Sequence, residues 1–177
     1  NTCSVTAVSD KKSRQMIRRA KKRNPAAIIA ACGCYVQTHT DEAKSLGIDL
    51  IGGTGQRMEF LHQLLAAAEE RQTRVLVDDA LRRHDFEILP AGGQHSRTRA
   101  MLKVEDGCRN FCTYCIIPFA RGPVRSLPLE EAARQTEQLA RQGYREVVLT
   151  GIEISSWGQD LPGEESGYFY SEAQLNS

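Results

Sequence analysis

Cys108, Cys112 and Cys115 stand in the stretch Asp106–Gly107–Cys108–Arg109–Asn110–Phe111–Cys112–Thr113–Tyr114–Cys115–Ile116–Ile117–Pro118, with the spacing C-x3-C-x2-C. Cysteine thiolates hold iron–sulfur clusters, normally one per iron of a cubane. Three thiolates leave one iron without a protein ligand, and an open coordination position lets a metal site do chemistry. A zinc site would want a fourth His or Cys, and neither occurs after Cys115. A disulfide framework fits poorly with an odd number of cysteines. Three buried structural cysteines are the remaining reading.

The elements around the trio can be read from pattern and punctuation. Arg99 to Val104 predicts a strand entering the cysteine loop. Leu127–Pro128–Leu129–Glu130 opens a helix to about Gln142, closed by Gly143. Val147–Val148–Leu149–Thr150–Gly151 then predicts a buried strand. Strand, loop, helix, strand is how a (β/α) barrel begins, and the two strands should pair in parallel.

The first half of the chain has its own alternation. Ser9 or Asp10 is the expected cap of a helix running to about Arg23 and stopped by Asn24–Pro25, with Met16, Ile17 and Ala20 as its apolar stripe. Ala26 to Ala31 and Ile48 to Ile51 are expected strands. Asp41 to Leu46 and Met58 to Arg71 are expected helices, and Arg74 to Val77 a further strand. The fold class expected is α/β, a small amino-terminal domain with a mostly parallel sheet followed by the start of a barrel. The division expected is 1–77 for the first domain, 78–98 for a linker rich in charge, Pro and Gly, 99–162 for the second, and 163–177 for an atypical tail.

Composition narrows the class. At 177 residues, 41% hydrophobic and 25% charged, the chain is ordinary globular protein. No apolar run approaches the roughly 20 residues of a membrane span, so no membrane partner is expected. No secretory signal is visible, and the six cysteines then fit a reducing, cytoplasmic setting and metal work. The net charge of +1 hides an asymmetry: eight Lys or Arg against one acid, Asp10, precede Ala26. A basic end on a balanced chain suggests an anionic partner.

The trio and its flanks resemble the radical S-adenosylmethionine (radical SAM) superfamily. There S-adenosylmethionine occupies the fourth iron and is cleaved to a 5'-deoxyadenosyl radical, and the position of Tyr114 contacts the adenine. Further motifs sharpen the resemblance: Asn1–Thr2–Cys3–Ser4–Val5–Thr6, Lys12 to Ala20, Gly33–Cys34–Tyr35–Val36–Gln37, Lys103 to Ser126 and Val148–Leu149–Thr150–Gly151–Ile152. Together these closely resemble the tRNA methylthiotransferases, in the wording of the branch that acts on threonylcarbamoyladenosine.

The resemblance implies two [4Fe-4S] clusters, S-adenosylmethionine, a tRNA substrate and an electron donor protein. Cys108, Cys112 and Cys115 would hold the catalytic cluster, with Tyr114, Thr150 and Gly151 meeting the cofactor. Cys3 and Cys34 match two of three ligands to a second cluster, whose third would lie upstream of Asn1. Cys32 is off the family's ligand positions. The family's barrel and its carboxy-terminal RNA-binding domain need more residues than the stretch after Cys108 holds, so the sequence is expected to be a fragment, inactive alone. The same chemistry on isopentenyladenosine or a ribosomal protein, and a non-catalytic iron–sulfur module, remain as alternatives.

Overall fold

The computed structural model describes residues 1–70, 72–91 and 98–162. The tail expected at 163–177 lies outside the described residues. The described chain forms two compact units, one within residues 1–83 with 110–122 and one of 84–91 and 98–109 with 123–162.

The first unit is built on a parallel sheet of three short strands in the order β1-β2-β3: β1 (Ala30–Cys32), β2 (Leu50–Gly52) and β3 (Arg74–Leu76). Ala31 stands beside Ile51, and Ile51 beside Val75. Four helices alternate with these strands: α1 (Ala7–Arg23), α2 (Cys34–Thr38), α3 (Thr40–Lys44) and α4 (Arg57–Glu70). Ile17, Ala31, Tyr35, Val36, Ala43, Ile48 and Ile51 form one core. Burial of such side chains stabilises by roughly 25 cal/mol per Å² of apolar surface.

Two local expectations change for physical reasons. The cap of α1 is Thr6, not Ser9 or Asp10; Thr6 is extended and its Oγ1 accepts from the Ser9 backbone N–H at 3.1 Å. Asp10 instead sits in the first turn, where its charge complements the helix dipole. The apolar run at 26–31 pairs as a strand only from Ala30. At Ile29 the carbonyl still accepts from the Asp49 N–H at 2.8 Å, but the Ile29 N–H donates to the Asp49 carboxylate at 2.7 Å, so a side chain takes one side of the pairing. Of the predicted stripe on α1, Ile17 is buried and Met16 is 64% exposed.

The second unit has two strand pairs. β4 (Arg99–Lys103) lies parallel to β7 (Glu146–Thr150), in the register Arg99–Glu146 through Lys103–Thr150. The pairing expected from sequence is therefore present. β5 (Glu105–Asp106) pairs antiparallel with β6 (Arg125–Ser126). The helix α6 (Leu129–Arg141) joins β6 to β7. Its Leu139 packs with Ala100, Leu102, Val104, Leu127 and Tyr144. Glu130 and Glu131 in its first turn and Arg141 in its last suit the helix dipole. A further short helix, α5 (Ile117–Arg121), belongs to the first unit.

Candidate functional site

The end of β1 positions the amino-terminal cysteines. Thr2 forms a parallel bridge with Gly33, donating its N–H to the Cys32 carbonyl at 2.7 Å and its Oγ1 hydroxyl to the same oxygen at 2.8 Å. Cys3 and Cys34 are the residues that follow the two bridged positions. Gly33 is required here: its φ is 107°, and a Cβ would come within 2.5 Å of the Thr2 carbonyl oxygen. Ser13 on α1 holds Cys3 from the other side, donating to its carbonyl at 3.1 Å and accepting from its N–H at 3.3 Å. Cys3 is exposed, Cys34 is buried at the start of α2, and Cys32 is intermediate. A cavity of about 500 Å³ lies between α1 and β1, with Cys3, Lys12 and Ser13 on its wall.

The second cysteine set is divided between the units. Cys112 and Cys115 lie in the first, and Cys108 lies in the second. The Cys115 N–H donates to the Cys112 carbonyl at 2.9 Å, closing a tight turn around Thr113 and Tyr114. Tyr114 points into solvent at 91% exposure. Phe111, at φ 45°, starts this turn, and its ring packs edge-on against Phe119 of α5. All six cysteines are free thiols. Among the described residues no three His, Cys, Asp or Glu side chains gather in metal-binding geometry. The donor chemistry nonetheless fits a cluster: soft thiolates on a loop without regular structure, of the kind that closes around its metal on binding.

A polar network that no motif announced anchors the helix after the trio. The Gln37 Oε1 accepts from the Thr54 N–H at 3.0 Å and from the Arg83 guanidinium at 2.9 Å, and its Nε2 donates to the Asp78 carbonyl at 2.7 Å. Arg83 also donates to the Asp78 carboxylate at 2.8 Å and to the Thr54 hydroxyl at 2.6 Å. Thr54 passes the chain on, donating to the Ala120 carbonyl in α5 at 2.6 Å. Buried polar groups are costly unless satisfied, and here each partner satisfies the next. The second of two adjacent arginines in a charged stretch and a Thr after Gly–Gly give no sequence signal for this.

Thr150 and Gly151 lie at the carboxyl end of β7, beside Lys103 at the end of β4. In parallel α/β folds ligands are met at this end of the strands. Glu105 approaches the same end. Burial pushes its carboxyl pKa up, while hydrogen bonds from the Glu153 and Ile152 amides pull it back.

The comparisons with known proteins agree with both halves. Residues 102–161 match the radical SAM superfamily, and residues 1–53 match the uncharacterized protein family UPF0004. The chain is 45% identical over 162 residues to the threonylcarbamoyladenosine tRNA methylthiotransferase MtaB of Bacillus subtilis (strain 168), covering 91% of this chain and 36% of that protein. Over nine tenths of its length the chain is thus similar to tRNA methylthiotransferases, and its second half to radical SAM proteins. The MtaB of Aquifex aeolicus (strain VF5) is 43% identical over 90% of this chain and 39% of its own length. A tRNA-2-methylthio-N(6)-dimethylallyladenosine synthase of Clostridium perfringens (strain ATCC 13124) is 35% identical over 91% of this chain and 37% of its own. The chain thus spans well under half the length of these relatives. The match of residues 102–161 to the radical SAM superfamily implies an iron–sulfur cluster and S-adenosylmethionine. Among the described residues no helix is long and apolar enough to cross a membrane.

Proposed function

We propose that the protein carrying this chain is a cytoplasmic methylthiotransferase that places a methylthio group on C2 of N6-threonylcarbamoyladenosine in tRNA. The observation that carries the reading is the C-x3-C-x2-C trio within a region matching radical SAM proteins. The likeness to MtaB proteins supports the choice of nucleoside. In this reading residues 1–77 are the amino-terminal methylthiotransferase part and 99–162 the start of the radical SAM part, with 78–83 and 110–122 packed in the first compact unit. When bound, a cluster and S-adenosylmethionine supply the one-electron chemistry that takes hydrogen from C2, and the methyl group that caps the inserted sulfur.

The chain's own residues then have distinct tasks. Cys108, Cys112 and Cys115 hold the catalytic cluster and leave one iron open. Tyr114, exposed on its turn, is free to stack on the adenine of the cofactor. Thr150 and Gly151, at the end of β7, are further residues to meet the cofactor in this reading. Cys3 and Cys34 hold part of a second cluster, and an electron donor protein reduces the first. The full-length protein, reconstituted anaerobically with iron and sulfide and given reductant, S-adenosylmethionine and tRNA, is expected to yield the 2-methylthio form of threonylcarbamoyladenosine on nucleoside analysis. Product on dimethylallyladenosine instead would move the assignment to the other branch. No thiolated nucleoside would remove it.

The basic helix α1 is part of the tRNA surface in this reading. Lys11, Lys12, Arg18, Arg19 and Lys22 are exposed on it. Replacing Arg18 and Arg19 by Ala should weaken tRNA binding. Each lost phosphate contact should reduce the slope of log affinity against log salt by roughly 0.7 to 0.9. The loss should not depend on sequence, because phosphates carry no base identity. Unchanged affinity and slope would reduce α1 to a solvated face.

A further inference from the structure

The β4–β7 ladder does not stop at Lys103 and Thr150. The Val104 N–H donates to the Thr150 carbonyl at 2.9 Å, so the pairing runs one residue further. Glu105 comes next, on β5, and is fully buried. One oxygen of its carboxylate, Oε2, accepts from two successive amides beyond β7, the Ile152 N–H at 2.6 Å and the Glu153 N–H at 2.9 Å. Gly151 lies against the same oxygen, and a Cβ there would come within 2.6 Å of it. The other oxygen, Oε1, is buried without a hydrogen-bond partner among the described residues.

This arrangement is a poor device for stability. A buried carboxylate loses solvation, and an unpaired buried oxygen adds to the cost. The turn itself is partly open, with Ile152 40% exposed. What the carboxylate does supply is position. It fixes two consecutive N–H groups in one direction, and it admits only a glycine at the point where the strand ends.

We propose that Glu105 is a positioning residue, clamping the Gly151–Glu153 turn so that the end of β7 presents a fixed backbone surface to the cofactor. The clamp requires Gly151 for lack of a side chain, not for backbone freedom. Its bearing on the cofactor rests on the radical SAM reading above; the clamp itself does not.

The test uses the full-length protein with Glu105→Ala, Glu105→Gln and Gly151→Ala. Hydrogen exchange is read at residues 152 and 153 without cofactor. S-adenosylmethionine affinity is then read on the reconstituted protein by titration calorimetry, with iron content and thermal midpoint as controls. Glu105→Ala should speed exchange at both amides and weaken cofactor binding about tenfold, the scale of one to two lost hydrogen bonds. Gly151→Ala should do the same by displacing the carboxylate. Glu105→Gln keeps an acceptor oxygen and should restore both readouts to near the wild-type values. Thermal midpoint and iron content should hold throughout.

Unchanged exchange in Glu105→Ala would overturn the clamp. Faster exchange with unchanged cofactor affinity would overturn its positioning role. Affinity falling only in step with the thermal midpoint, with no rescue by Gln, would make Glu105 a structural residue and overturn the proposal too. Wild-type protein that takes up a cluster but binds no S-adenosylmethionine would defeat the functional reading, and the exchange result alone would then decide the clamp.

Discussion

Cys112→Ala in the full-length protein is expected to abolish reductive cleavage of S-adenosylmethionine, with 5'-deoxyadenosine falling to background. The substitution is chosen because it should spare the fold. Cys112 is exposed, so no core cavity opens. Its turn is closed through its carbonyl, which accepts from the Cys115 N–H at 2.9 Å and survives the change. What goes is one of three thiolates, and with it the cluster that needs each of them. Circular dichroism and the thermal midpoint should match those of the wild type in the apo protein. Continued formation of 5'-deoxyadenosine by the variant would show that Cys112 is not a ligand of the catalytic cluster.

The second large effect separates the two cysteine sets. Cys34→Ala should keep 5'-deoxyadenosine formation and lose the thiolated nucleoside, and Cys3→Ala should behave alike. Cys32→Ala should keep both activities. The bridge between Thr2 and Gly33 motivates the pairing, since Cys3 and Cys34 each lie one residue beyond it. Cys32 spends its carbonyl on Thr2 and stands one residue before the bridge. Cys34 is buried, so its replacement could cost roughly 1 kcal/mol of packing. Retained radical formation in that variant controls for this cost. Loss of product with Cys32→Ala, and none with Cys34→Ala, would exchange the two assignments.

Chemistry is written locally in this sequence and positioning is not. The trio reads as a cluster motif because its spacing is local and its donor type specific. The β4–β7 pairing was legible because a strand–helix–strand unit nearly always folds back in parallel. The helix α2 was missed: five residues are too few for a helical period. Thr6, the observed cap, lies three residues before Ser9, the first of the expected caps. Glu105 and Arg83 were invisible for a deeper reason. Glu105 meets the Ile152 amide across 47 residues of chain, and Arg83 meets Gln37 across 46. No local pattern encodes a buried carboxylate aimed at a turn that far away. Arg83 lay in a stretch that charge, Pro and Gly marked as a linker, yet its guanidinium sits in the network with Gln37, Thr54 and Asp78.

The most direct test of the open-iron site is pulsed electron paramagnetic resonance of the reduced, reconstituted full-length protein with S-adenosylmethionine labelled with nitrogen-15 at its amino group. Cys3→Ala/Cys34→Ala protein should be used, so that only the cluster of Cys108, Cys112 and Cys115 contributes. A hyperfine coupling from the labelled nitrogen to that cluster is the predicted result, because three thiolates leave one iron for the cofactor's amino group. A reduced four-iron signal with no coupling to the label would mean that every iron is already closed, and would contradict the assignment of this trio to radical chemistry.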